Sequence, residues 1–213
     1  MKKLGRYLLI PLLSGVHSFA QASTTPIMSS PNEPDLLGAG GILDSNFGLG
    51  NLQYIDGDFD QMWVASSSVD IAVIAKHAGF THNIGHIDAS DKYTSLLSSI
   101  TSSSGQSASF DKGNSGSPFR FGLEVSGGPL YSSFMNDNPD TGEDHMVSWR
   151  ITGGQYAGDF VMAWEDLPNL GDRDYNDLVL RVSGVTAVPV PATVWLFISG
   201  LIGVAAIARR KAS

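Results

Sequence analysis

The chain has 213 residues, of which 42% are hydrophobic and 16% charged, a balance that suits one packed domain with trimmings and excludes a fully disordered chain. Six of its 13 basic residues sit at the ends (Lys2, Lys3 and Arg6; Arg209, Arg210 and Lys211), leaving seven against all 21 acidic residues between them. Such a middle argues against nucleic acid and favours divalent cations, and the lack of cysteine excludes disulfides, thiolate catalysis and cysteine zinc sites.

In chain order, Lys2, Lys3 and Arg6 precede a short apolar run at 7–16, and Ala20-Gln21-Ala22 fits the small-x-small cleavage rule. Residues 1–22 are therefore expected to be a secretory signal peptide removed by signal peptidase; cleavage after Ala20 is the alternative. Residues 23–35 are rich in Ser, Thr and Pro and read as a flexible leader. A β-rich extracellular domain is expected over 36–186. It opens on a glycine-rich stretch at 36–50. Strand-like runs follow at 62–65, 69–75, 119–125, 146–152, 159–164 and 178–185, several alternating with period two. One helix is predicted at 90–100, and 98–117 reads as a Ser/Gly-rich loop or a long hairpin tip. The pattern predicts an all-β fold, an antiparallel β-sandwich of jelly-roll type.

Three acidic loops carry the most chemistry. In the first, Asp172, Asp174 and Asn176 alternate, Asp177 adjoins them, and Glu165 and Asp166 lie one short loop upstream. Calcium takes six to eight oxygens from carboxylates and loop carbonyls, which this pattern can supply. The loop is not an EF-hand, because Asp177 stands where glycine is required and Ser183 where the bidentate glutamate belongs. The second loop contains Asp137, Asp140 and Asp144; the third contains Asp56, Asp58 and Asp60. A single loop of this kind also suits a solvated turn. Three of them on so acidic a chain point to a metal, since clustered carboxylates repel unless a cation offsets them.

The segments 131–145, 160–168 and 171–179, with Trp164-Glu165-Asp166 and Asp174-Tyr175-Asn176-Asp177-Leu178-Val179, resemble domain of unknown function 4114. That resemblance implies a β-rich module of extracellular bacterial proteins, often found beside calcium-dependent adhesion or sorting modules. It implies no activity.

Other chemistry is weaker. His77, His82 and His86 have zinc-like spacing, but Gly79 and Gly85 argue against a helix, and surface or strand-end histidines are expected. Trp63, Trp149 and Trp164 suit either a sugar-stacking platform or core aromatics, with the core expected. Carboxylate pairs abound, so none singles out a glycosidase, and no nucleophile elbow, phosphate loop or dinucleotide fingerprint is present.

The chain ends on Val188-Pro189-Val190-Pro191-Ala192, an uncharged stretch at 192–208, and Arg209-Arg210-Lys211. As a helix the stretch is roughly 25 Å long, at the short end for crossing a bilayer, with the basic cluster on the cytoplasmic side. Pro189, Pro191, Ala192, Arg209 and Arg210 resemble the PEP-CTERM sorting signal of Gram-negative bacteria in its Val-Pro-Leu-Pro-Ala variant. The resemblance of residues 188–213 implies recognition and removal by an exosortase and association with exopolysaccharide and biofilm. A plain single-pass anchor is the alternative. The resulting expectation is an exported, non-enzymatic, calcium-binding protein of the cell surface or extracellular matrix, first anchored in the inner membrane. A carbohydrate-binding module for exopolysaccharide and, behind it, a polysaccharide hydrolase are the alternatives.

Overall fold

A computed structural model of the protein describes residues 27–55, 57, 61–101, 105–111, 116–140 and 142–188. The expected signal peptide lies outside them, as does the sorting tail after Val188. Among the described residues no helix is long and apolar enough to cross a membrane.

The elements are a short helix α1 (Ile42–Phe47) and strands β1 (Leu52–Ile55), β2 (Met62–Ala75), β3 (His82–Ile87), β4 (Tyr93–Ile100), β5 (Ser107–Phe110), β6 (Arg120–Val125), β7 (Leu130–Ser132), β8 (Met146–Ile151), β9 (Phe160–Trp164) and β10 (Leu178–Val188). They form two antiparallel sheets. One has the order β1-β8-β9-β10-β2-β5, the other β4-β3-β6-β7. The fold is therefore all-β and sandwich-like, as the period-two runs require.

Alternation along β9 shows why the sequence folds this way. Phe160, Met162 and Trp164 point between the sheets, where they meet Trp63, Phe121, Leu123 and Tyr131. Val161 and Ala163 point to the opposite face, into a second cluster with Val147, Trp149, Ile151 and Val179. That outer face is covered by Leu36, Ile42, Leu43 and Phe47 from the amino-terminal side. Burial on both faces makes all five residues of β9 apolar.

Two expectations are corrected. Residues 93–100, within the predicted helix, form β4, pairing along β3 from Ile87↔Tyr93 to His82↔Ile100. The expected loop at 98–117 contains β5, which pairs with β2 through Val69↔Phe110. The runs 62–65 and 69–75 are one strand. The pairing of β2 with β10 shifts register between Ser183 and Val185, where Gly184 adopts a φ of 73° that suits a bulge glycine. Residues 27–35, read from sequence as leader, make defined contacts: Met28 N–H donates to the Arg173 carbonyl (2.8 Å), and Ile42 N–H donates to that of Asp35 (2.9 Å).

Candidate metal centre

The site lies where β9 passes into β10. Trp164 pairs with Leu178, so residues 165–177 form the connection closing this hairpin. Its backbone is strained: Asn169, Leu170, Arg173 and Tyr175 have φ values of 54–64°, a region costing L residues about 1–2 kcal/mol each. Burial of Leu170 and Tyr175 in the outer cluster holds this shape. The Tyr175 hydroxyl also donates to the Asp144 carbonyl (2.6 Å).

The second acidic loop is locked to the first. Glu165 N–H donates to the His145 carbonyl (3.0 Å), the His145 ring Nδ1 donates to the Glu165 carbonyl (2.8 Å), and Asn169 N–H donates to Asp140 Oδ2 (2.7 Å). His145 Nε2 also meets Asp140 Oδ2 at 2.8 Å. The His145 ring stacks on Tyr131 at 3.6 Å between centroids.

The carboxylates gather in two overlapping groups. Glu165 lies with Asp166 and Asp177, and Glu165 also lies with Asp172 and Asp174, each group with oxygens within 4.8 Å of one another. Glu165 is 0% exposed and Asp174 2%. Glu165 Oε1 accepts from Leu167 N–H (3.2 Å), but Oε2 is buried and receives no hydrogen bond among the described residues. The adjacent Asp177 carboxyl can bond it only if one of the two holds a proton.

Asn176 gives a second pointer. Its Nδ2 donates to Asp174 Oδ2 (2.8 Å) and to the Pro34 carbonyl (3.2 Å). Two acceptors around that atom fix the amide's orientation. Its Oδ1 is then a buried acceptor without a donor. Orphaned buried acceptors are costly unless a donor or a cation meets them, and clustered carboxylates beside them could hold a metal ion.

Electrostatics agree. Burial chiefly pushes the Glu165 carboxyl up to about 7, with Asp172 and Asp174 adding to the rise. It pushes Asp177 up to about 9, with Asp166 and Glu165 adding. It pushes Asp174 up to about 6, with Asp172 and Glu33 adding against the Asn176 N–H. The Asp166 side has basic neighbours: His82 Nε2 meets Asp166 Oδ2 at 2.7 Å. Burial lowers the Lys76 ammonium, opposed by Asp166 and Asp177 beside it. The Asp172–Asp174 side has no such balance; among the described residues no lysine or arginine is ion-paired with Glu33, Asp172 or Asp174.

The remaining expected ligands are used differently. Asp137 is ion-paired with Arg120, away from these groups. Asp140 serves His145 and Asn169, and burial raises it less than those partners lower it. Asp144 Oδ1 accepts from Met146 N–H (3.3 Å), and burial pushes its carboxyl up to about 7. Asp56, Asp58 and Asp60 lie outside the described residues, while Gly57 packs against Asp144. Sequence reasoning missed Glu33, Lys76 and the role of His82, which stands at a strand end, the start of β3, and is fully buried there. Tertiary packing brings them there: Lys76 follows β2 directly, and His82 opens β3. Trp63, Trp149 and Trp164 are core residues at 0–4% exposure, so they form no exposed sugar platform. The three histidines do not converge: His86 stacks on Phe110, while His82 faces Asp166.

Residues 89–185 match the model of a family described as Domain of unknown function (DUF4114). The matched range contains both loops of the acidic corner. It omits β2 and β3, which pair with β10, β5 and β6, so it is smaller than the unit that packs. No curated protein matches the chain.

Proposed function

We propose that this is an exported β-sandwich protein without catalytic activity, whose acidic corner binds calcium, and that it acts in the extracellular matrix or in adhesion. Glu165, Asp172, Asp174 and Asn176 are the central ligands, with Asp166 and Asp177 behind them. The observation that carries the reading is the buried, donorless Glu165 Oε2 beside Asp172 and Asp174, which no lysine or arginine pairs among the described residues. Calcium suits an all-oxygen set that mixes carboxylates with an amide oxygen. The burial of Glu165 and Asp177 favours an ion over a polymer in the corner, which weighs against a hydrolase. Export rests on the signal-peptide-like start. The resemblance of residues 188–213 to a PEP-CTERM sorting signal supports a precursor held in the inner membrane and then moved by an exosortase to the cell surface or matrix of a Gram-negative bacterium, beside exopolysaccharide.

Thermal melts of the full-length chain with calcium and with chelator test the metal. Calcium is expected to raise the midpoint, and Glu165→Gln combined with Asp174→Asn to remove the rise. A midpoint indifferent to calcium in the unaltered protein refutes the proposal.

A further inference from the structure

We infer that His145 is the positioning residue of the metal centre: held by Tyr131 and Asp140, it fixes the main chain of Glu165 and so aims that carboxylate at the ion. This rests on the calcium reading above and gives the second acidic loop a task other than ligation.

Glu165 is where positioning matters most, because it is common to both carboxylate groups. It stands one residue past the pair Met146↔Trp164, where the β8–β9 ladder gives way to the strained loop. A ladder carried one residue further would bond both main-chain groups of Glu165. Here His145 supplies both bonds, one of them from its side chain. Its carbonyl accepts the Glu165 N–H (3.0 Å), and its ring Nδ1 donates to the Glu165 carbonyl (2.8 Å). With both groups taken by one residue, the direction of the Glu165 side chain is set from the start of β8 and not by the loop that follows.

The ring is itself held on three sides. Nδ1 is engaged by Glu165, Nε2 meets Asp140 Oδ2 at 2.8 Å, and one face stacks on Tyr131 with the ring planes 13° apart. His145 and Tyr131 are both 0% exposed, so water does not compete for these contacts. Tyr131 belongs to β7 of the four-stranded sheet, so the stack ties the corner to the opposite layer. Asp140 in turn accepts the Asn169 N–H (2.7 Å), which brings the loop back onto the same clasp. None of these groups needs to touch the ion. Groups that orient a metal's ligands from behind change metal affinity by about ten- to a hundredfold, and calcium affinity depends on site rigidity as well as on ligand charge.

Terbium luminescence of the full-length chain, with calcium as competitor, separates this inference from the reading beneath it, because the decay in light and heavy water also counts the waters on the bound ion. In the unaltered protein calcium is expected to displace terbium. His145→Phe keeps a ring against Tyr131 and removes the donor to the Glu165 carbonyl. Its calcium affinity is expected to fall about ten- to a hundredfold, and its bound terbium to carry an extra water where Glu165 has withdrawn. His145→Asn, whose amide nitrogen stands close to the place of Nδ1, is expected to restore most of the affinity and the original water count. A residue that only stabilised the fold would lower the melting midpoint of both variants in chelator and leave the water count alone. Unaltered affinity in His145→Phe, or a lowered affinity without an extra water, overturns the inference and leaves the calcium site standing. Should His145→Phe not fold, Asp140→Ala frees the Nε2 end of the ring and leaves the Tyr131 stack; it carries the same expectation, and an unchanged water count there overturns the inference. Terbium that does not bind the unaltered protein, or that calcium does not displace, overturns the calcium reading itself.

Discussion

At Glu165 and Asp177 the difficulty is concrete: two carboxyls approach in a place that water does not reach. Burial raises both; the charge of Glu165 raises Asp177 further, while a hydrogen bond with Asp177 partly lowers Glu165. The pair holds a proton near neutral pH or shares a cation. Asp177 also has a structural duty, because its Oδ2 accepts the Asp166 N–H at 2.8 Å. Asp177→Asn separates these roles. The amide oxygen can keep the Asp166 bond while the amide nitrogen offers Glu165 Oε2 the donor it lacks. Without calcium at mildly alkaline pH, the variant is expected to melt about 3–6 °C above the parent, the shift that about 1–2 kcal/mol gives in a chain of this size. Its calcium-induced rise should shrink. Differential scanning calorimetry decides the point, and a lower midpoint without calcium shows that the carboxylate at 177 is stabilising in its own right.

Among the elements, the four-stranded sheet depends on close approach between β3 and β4. A methyl group at Gly85 would sit 2.2 Å from the Thr94 carbonyl oxygen and 2.7 Å from the Tyr93 ring. The obstacle is backbone, which cannot rotate away as a side chain would. Gly85→Ala is therefore expected to cost at least about 3 kcal/mol, the upper end for overpacking. Urea denaturation measures it; an unchanged midpoint means that these strands are not apposed at Gly85. This region also marks the limit of what the sequence discloses. Central strands such as β9 and β10 are legible because burial demands apolar residues at known spacing. β4 is not, because it is an edge strand whose Thr94, Ser95 and Ser98 are exposed. Its Tyr93, Leu96, Leu97 and Ile100 also fit a helical stripe. β3 is masked by His82, Asn83, Gly85 and His86, which suggest a loop. In the corner, Asp172, Asp174, Asn176 and Asp177 are legible from alternation within one loop. Glu33 and His82 are not, since they arrive through tertiary packing from residues far away in the chain.

Over the whole molecule these charges couple stability to pH in a direction that calcium should reverse. Glu165, Asp174 and Asp177 titrate at about 7, 6 and 9 in the folded chain, against about 4 for unfolded carboxyls. The folded chain therefore binds more protons than the unfolded chain between those limits. The stability these groups contribute is complete below about pH 4 and is lost as pH rises through their folded values. Asp140 has the opposite sign: its pKa is lowered, so its contribution is lost only as pH falls below the ordinary carboxylate range. Between mild acid and mild alkali the raised group dominates. In chelator the melting midpoint is thus expected to be lower at about pH 8 than at about pH 5, contrary to the gain a salt-bridged carboxylate would produce. Calcium must displace those protons to bind, so its stabilising effect should be small at the lower pH and large at the higher one. Paired melts at both pH values, with chelator and with calcium, measure both slopes at once. A chelator midpoint that rises with pH would mean that the corner's carboxyls are not raised. Equal calcium shifts at the two pH values would mean that the ion binds elsewhere, at groups already ionised in acid.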